Sequence, residues 1–96
     1  MLNLIWLKSL IYVIEQHSFQ LAANQLGLAQ PTISQHIQKL EEMLGVSLIK
    51  RGRNGCQPTS EALRLMPYAQ SLLRLHERAL LAVKQPLLRV GASSNI

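Results

Sequence analysis

The sequence predicts a mainly α fold of three short helices, a small two-stranded hairpin and one long final helix. Three observations predict it. Apolar residues recur at helical spacing over most of the chain. Glycine or proline falls near the ends of the repeats. One glycine-rich stretch with an Asn-Gly pair interrupts the helical pattern at Arg51–Gly55.

The first helix is expected over residues 4 to 17, where Leu4, Leu7, Leu10, Ile11 and Ile14 share a face and Lys8, Glu15 and Gln16 lie off it. Ser18 can cap the helix that follows. That second helix, from Phe19 to Leu26, carries Phe19, Ala22, Ala23 and Leu26 at the spacing of one face, and its paired alanines admit another helix at close range. Gly27 can end it with a positive φ. Pro31 suits the first turn of a third helix, because its missing N–H has no partner there. This helix runs to Leu44, with Ile33, Ile37, Leu40 and Leu44 as the buried stripe and Gly45 as its cap.

Residues 46 to 50 read as a short strand, residues 51 to 55 as a turn, and Cys56-Gln57-Pro58 as a brief return strand ended by proline. Thr59 is a good N-cap, and Glu61 places negative charge in the first turn that follows. The last helix extends to about Gln85, with Pro67 expected to kink it or remove one hydrogen bond. Pro86 ends it, and Leu87 to Gly91 look like the start of another strand.

At 96 residues the chain holds one small core, which leaves little room for a large ligand cavity. Net charge is +5 and aspartate is absent, a balance that favours polyanionic partners. The positive charge is concentrated in the turn (Lys50, Arg51, Arg53) and along the final helix. A single cysteine, Cys56, rules out an intramolecular disulfide and suits a reducing cytoplasm. No signal peptide is recognisable, because Lys8 and Glu15 break the N-terminal apolar stretch. No apolar run approaches the ~20 residues of a membrane span, so no membrane partner is expected. His17, His36 and His76 are scattered and imply no metal site and no cofactor. Ser47 and Lys50 have the Ser-x-x-Lys spacing of a nucleophile with its base, but so short a pattern without further motifs does not make an enzyme.

Two short helices joined by a tight turn, with a polar outer face on the second and a basic hairpin after it, form a winged helix-turn-helix. With Ile33, Ile37 and Leu40 turned inward, Pro31, Ser34, Gln35 and Gln38 share another face, and Gln30 and Thr32 stand at its N-terminal end. Glutamine can bond adenine through both amide groups, hydroxyls reach bases or phosphates, and proline or a threonine methyl touches thymine methyls. Lys50, Arg51 and Arg53 are suited to phosphates or a minor groove. Ser18 and the helix N-termini can add phosphate contacts.

Apolar columns at seven-residue intervals run down the long helix: Leu65, Leu72 and Ala79; Met66, Leu73, Leu80 and Leu87; Ala62, Ala69, His76 and Val83. Some of that surface covers the small core and the rest would be exposed in a single chain, so pairing of two chains through Leu65, Met66, Ala69, Leu72, Leu73, His76, Leu80 and Val83 is expected. A helical module that binds another protein and never touches DNA remains the alternative. The basic hairpin and the uncharged amide-and-hydroxyl face have no purpose in it, and a salt-dependent DNA affinity separates the two.

The run Ser18-Phe19, Ala22-Ala23, Leu26, Gln30-Pro31-Thr32-Ile33-Ser34, Ile37, Leu40-Glu41, Leu44-Gly45-Val46 and Leu48 resembles the signature of LysR-type transcriptional regulators. The resemblance extends from residue 4 to Gly91. It implies a DNA-binding domain over residues 1–59, a linker and dimerisation helix over 60–86, and the beginning of an effector-binding domain over 87–96. It further implies a homodimer on double-stranded DNA, with a tetramer open at full length. A small-molecule effector would act only through the absent C-terminal domain. The location implied is the cytoplasm, at the nucleoid. By the same resemblance Gln30, Pro31 and Ser34 match recognition-helix positions, and Arg51 and Arg53 match basic wing positions. The chain departs from the pattern at Ile49, where the family has Phe, and at Gln35, where it has Arg. It departs again at Pro58-Thr59 and Glu61-Ala62, where the family has Leu-Thr and Ala-Gly.

Overall fold

A computed structural model describes residues 1–85, so the expected strand from Leu87 and the start of a further domain lie outside the described residues. Four helices and one hairpin follow in the order α1 (Leu4–Gln16), α2 (Phe19–Leu26), α3 (Gln30–Leu44), β1 (Ile49–Gly52), β2 (Gly55–Pro58) and α4 (Ser60–Lys84).

The helix ends follow from local chemistry. Asn3 caps α1 by accepting the amides of Ile5 at 2.8 Å and Trp6 at 3.2 Å. Ser18 caps α2 by accepting Leu21 N–H at 3.0 Å. Gly27 and Gly45 end α2 and α3 with φ of 69° and 72°, a conformation that costs glycine little. His17 ends α1 in the same left-handed region, at φ 54°, with a side chain that makes the conformation unfavourable. The third helix starts at Gln30, with Pro31 in its first turn.

The core lies where α1 meets the other three helices. Leu7, Leu10, Val13, Ile33, Leu40 and Leu48 are fully enclosed, with Ala22 and Ala23 letting α2 approach closely. Burial of Val13 and Ser9 shows that α1 is covered on more than one side, which a single apolar stripe does not convey. Leu44, expected in the buried stripe of α3, is instead 38% exposed at the helix end. Of the last helix, Ala62 and Ala69 are sealed into the core, and Leu65, Met66 and Leu73 lean on it.

The hairpin is shorter and later than expected. It pairs Ile49 with Pro58, Lys50 with Gln57, Arg51 with Cys56 and Gly52 with Gly55. Residues 46 to 48 are not strand, because their polar groups are taken elsewhere. Leu48 N–H donates to Glu41 Oε2 at 2.8 Å. The carbonyls of Ser47 and Leu48 accept Thr59 Oγ1–H at 2.7 Å and Thr59 N–H at 3.0 Å. Thr59 Oγ1 also accepts Ala62 N–H at 3.1 Å, so one residue caps α4 and ties it to the base of the hairpin. Arg51 and Gly52, expected in the turn, belong to β1, and the turn is Arg53-Asn54 alone. Gly55, after the turn, carries the positive φ of 89°, while neither turn residue does.

The helix α4 continues through Pro67, which removes one donor without ending it. Its distal half projects from the core and draws the molecule out to 55 × 26 × 22 Å.

Candidate nucleic-acid interface

The helical period of α3 turns Ile33, Ile37 and Leu40 into the core, so the opposite side must face solvent. Pro31, Gln35 and Gln38 are exposed there, and Gln30, Thr32 and Ser34 are half-exposed. Gln30 Nε2 donates to Ser34 Oγ at 2.9 Å, one helical turn on, so the two side chains are already tied together. Gln38 Nε2 reaches Glu42 Oε2 at 3.4 Å. The Ser18 hydroxyl accepts the α2 cap bond through its oxygen and keeps its hydrogen free to donate.

The hairpin is set beside this face. An open cleft of about 260 Å³ between α3 and β1 is lined by Phe19, Ser34, Ile37, Gln38, Glu41, Ile49 and Arg51. It brings Ser34, Gln38 and Arg51 together, and Gln30 joins them through Ser34. Arg51 lies over the ring of Phe19, its guanidinium carbon 4.1 Å from the ring centroid. Its place in β1 rather than in the turn puts it there. Lys50 is exposed on the same strand, and Arg53 stands exposed at the hairpin tip. Gln35, Pro31, Thr32, Ser18, Lys50 and Arg53 do not line the cleft.

Two residues hold the hairpin against the helices and carried no signal in the sequence as contacts. Glu41 receives Leu48 N–H at 2.8 Å and Ile49 N–H at 3.4 Å through one oxygen, fixing the entry to β1 relative to α3. His17 is bonded to Cys56 from the other side: its carbonyl accepts Cys56 N–H at 3.2 Å, and its Nδ1 lies 3.2 Å from the Cys56 carbonyl.

On the flank of α3 away from the hairpin, the buried Ser9 hydroxyl meets His36 Nδ1 at 2.7 Å. Burial and then the nearby Lys39 ammonium lower the His36 pKa below 6.5. Lys39 itself lies over Trp6, 5.6 Å from the ring centroid. In the first turn of α4, backbone and Ser60 hydrogen bonds hold the Glu61 carboxyl below its ordinary range. Among the described residues, no three His, Cys, Asp or Glu side chains gather to hold a metal, and no helix is long and apolar enough to cross a membrane.

The residues expected to pair chains divide three ways. Ala69 is fully buried within the single chain, and Met66 and Leu73 face the same way, so these serve the chain's own core. Leu73, His76 and Leu80 line a groove with Leu4, Ile5 and Lys8 of α1. Leu72 and Val83 are free, and Leu65 is half-buried. Tyr68 and Leu75, 70% and 60% exposed, were not among the expected residues. With Leu72, Ala79 and Ala82 they form an exposed stripe at alternating steps of four and three residues, the spacing of a two-helix seam.

The family model for bacterial regulatory helix-turn-helix proteins of the lysR family matches residues 4–63. Among curated proteins, a putative HTH-type transcriptional regulator, PtxE of Stutzerimonas stutzeri, is 60% identical over all of this chain and 49% of its own length. Among solved structures, a Corynebacterium glutamicum OxyR C206S mutant superposes with a TM-score of 0.83 at 33% identity, over 88% of this chain and 27% of its own. The BenM_DBD/catB site 1 DNA complex superposes with a TM-score of 0.81 at 36% identity, over 86% of this chain and 92% of that one. The chain thus spans about half the length of the first of these relatives.

Proposed function

The chain belongs to the lysR family of bacterial regulatory helix-turn-helix proteins, and from that premise we propose that it binds double-stranded DNA sequence-specifically as a pair of chains and regulates transcription. The observation that carries the reading is the single cleft in which Ser34, Gln38 and the stacked Arg51 meet. A helix-turn-helix places its second helix in the major groove, and the polar face of α3 suits that position. Gln30, Pro31, Ser34, Gln35 and Gln38, with Thr32, address base edges or phosphates. Lys50, Arg51 and Arg53 address the flanking backbone or minor groove, and Ser18 a phosphate. Few charges on α3 mean that discrimination rests on amide, hydroxyl and methyl contacts rather than on arginine to guanine.

Residues 1–59 form the DNA-binding unit in this reading, and α4 joins two copies. The seam is the stripe Tyr68, Leu72, Leu75, Ala79 and Ala82, because Met66, Ala69 and Leu73 are already engaged within the chain. Pairing by a two-fold axis gives a partly palindromic site with half-sites one or more helical turns apart. A small-molecule effector would belong to a part of a longer regulator that this chain does not span. The protein would act at the nucleoid in the cytoplasm, and no reaction is assigned to it.

A fluorescence-anisotropy titration of labelled random-sequence duplex across a salt series tests the reading. Affinity that falls steeply as salt rises supports it, since each neutralised phosphate contributes about 0.9 to the logarithmic slope. A folded, paired protein that binds no duplex at low salt would overturn it in favour of a helical protein-interaction module.

A further inference from the structure

We propose that His17 is a positioning residue for the wing, holding the β1–β2 hairpin at the angle from which Arg51 and Arg53 meet DNA. The inference rests on the DNA-binding reading for its functional consequence, while the clamp itself is a property of the free chain. Three observations carry it. His17 is the only non-glycine residue with a positive φ among the described residues, at 54°, so an unfavourable backbone state is retained where glycine would relieve it. Two of its polar groups engage the backbone of one residue across the fold: the carbonyl accepts Cys56 N–H at 3.2 Å, and Nδ1 stands 3.2 Å from the Cys56 carbonyl. A carbonyl offers only an acceptor, so Nδ1 carries the hydrogen in this contact. The approach is close enough that a Cβ on Gly55 would sit 2.8 Å from the His17 carbonyl oxygen.

The position of Cys56 explains why this contact matters. Cys56 pairs with Arg51 across the hairpin. A bond fixed at Cys56 therefore fixes the strand residue that carries the stacked guanidinium. Glu41 holds the entry to β1, and Thr59 ties that entry and the start of α4. Without the imidazole, β2 keeps its apolar contacts, its ladder to β1 and the Cys56 N–H bond to a residue-17 carbonyl that the side chain no longer fixes, and the hairpin can pivot about its base.

Two substitutions separate positioning from mere structure. His17→Gly removes the imidazole and relieves the positive φ. His17→Asn retains the αL preference and places an amide N–H where Nδ1 stands. The expected result for His17→Gly is a melting temperature equal to or above the parent's, with Cys56 amide exchange about fivefold faster or more, DNA affinity several-fold weaker and a salt slope shallower by up to about one unit. His17→Asn is expected to restore exchange, affinity and slope. Gly55→Ala should also lose affinity, since its Cβ would meet the His17 carbonyl oxygen at 2.8 Å and its φ of 89° strains any side chain. Unchanged Cys56 exchange and unchanged affinity in His17→Gly would overturn the proposal. So would a loss of stability and affinity together that His17→Asn does not recover, since His17 would then be structural only. If the parent binds no duplex, the DNA reading fails by itself, and the exchange data still decide whether His17 clamps the hairpin.

Discussion

Arg51, in the wing strand, lies 4.1 Å above the ring of Phe19, the first residue of α2. The ring limits where the guanidinium can go, so less rotamer freedom would remain to be lost in the proposed contact with a phosphate or a base. Lysine keeps the charge and loses the planar stack. Arg51→Lys should therefore weaken duplex binding by about 0.5–1 kcal/mol while leaving the salt slope unchanged. Arg51→Ala should also reduce the slope by about one unit. Anisotropy titrations at several salt concentrations distinguish the two, and equal slopes for parent and Arg51→Ala would remove Arg51 from the interface.

Ser34→Ala should relax sequence preference more than it lowers affinity. It removes the hydroxyl from the polar face of α3 and frees the Gln30 amide from its 2.9 Å bond. Discrimination at one base position should fall by about 1–3 kcal/mol, read as the affinity ratio between a selected site and its single-base variants. An unaltered ratio would place Ser34 outside the reading face.

Leu75→Glu should split the pair of chains, and Leu81→Glu should leave it intact. Both leucines are exposed, but Leu81 stands about 120° around α4 from Leu75, off the alternating steps of the stripe and at the outer edge of the cleft it shares with Leu75, Ala79 and Ala82. Sedimentation mass reads the outcome directly. A monomer from Leu81→Glu and a dimer from Leu75→Glu would move the seam to the other face.

Stability should decline as pH falls through the histidine range. Burial and Lys39 lower the folded-state pKa of His36, so the folded chain favours its neutral form. A depressed histidine contributes stability that is complete above the unfolded-state pKa of about 6.5 and is lost as pH falls below it. Melting temperatures from pH 8 to 5 should drop less for His36→Gln, whose amide can still meet Ser9 and does not titrate. Identical curves for the two proteins would show that His36 is not responsible.

Glu41→Ala should cost about 1–3 kcal/mol in urea unfolding, because it leaves the amides of Leu48 and Ile49 without their acceptor. Glu41→Gln, which keeps an acceptor oxygen, should cost less. A neutral Glu41→Ala would mean that solvent replaces the carboxylate freely.

The helices were legible because their signals are local. Leu7 and Leu10, Ala22 and Ala23, and Ile33, Ile37 and Leu40 are buried as their spacing requires, and Gly27 and Gly45 end their helices as expected. The hairpin was misplaced because long-range partners decide it. Glu41 and Thr59 take the polar groups of residues 47 and 48, which no reading of neighbouring residues could reveal. The same limit hid Phe19 as a platform for Arg51. The long helix misled in another way. Its seven-residue columns cover most of the cylinder, and only the position of α1 shows which are consumed internally. The alternating steps from Tyr68 to Ala82 were available in the sequence as the signal for the remaining face.

Ala62 and Ala69 seat α4 on the core with no side chain beyond a methyl group at either point. From Ala69 to the helix end at Lys84 the rod runs on for about 22 Å at 1.5 Å per residue. A single added methylene at this fulcrum that tipped the rod by about five degrees would swing its far end by about 2 Å. In the symmetric pair proposed above the error would enter twice, so these two small residues would act as the gauge for the separation of the two reading heads along the double helix.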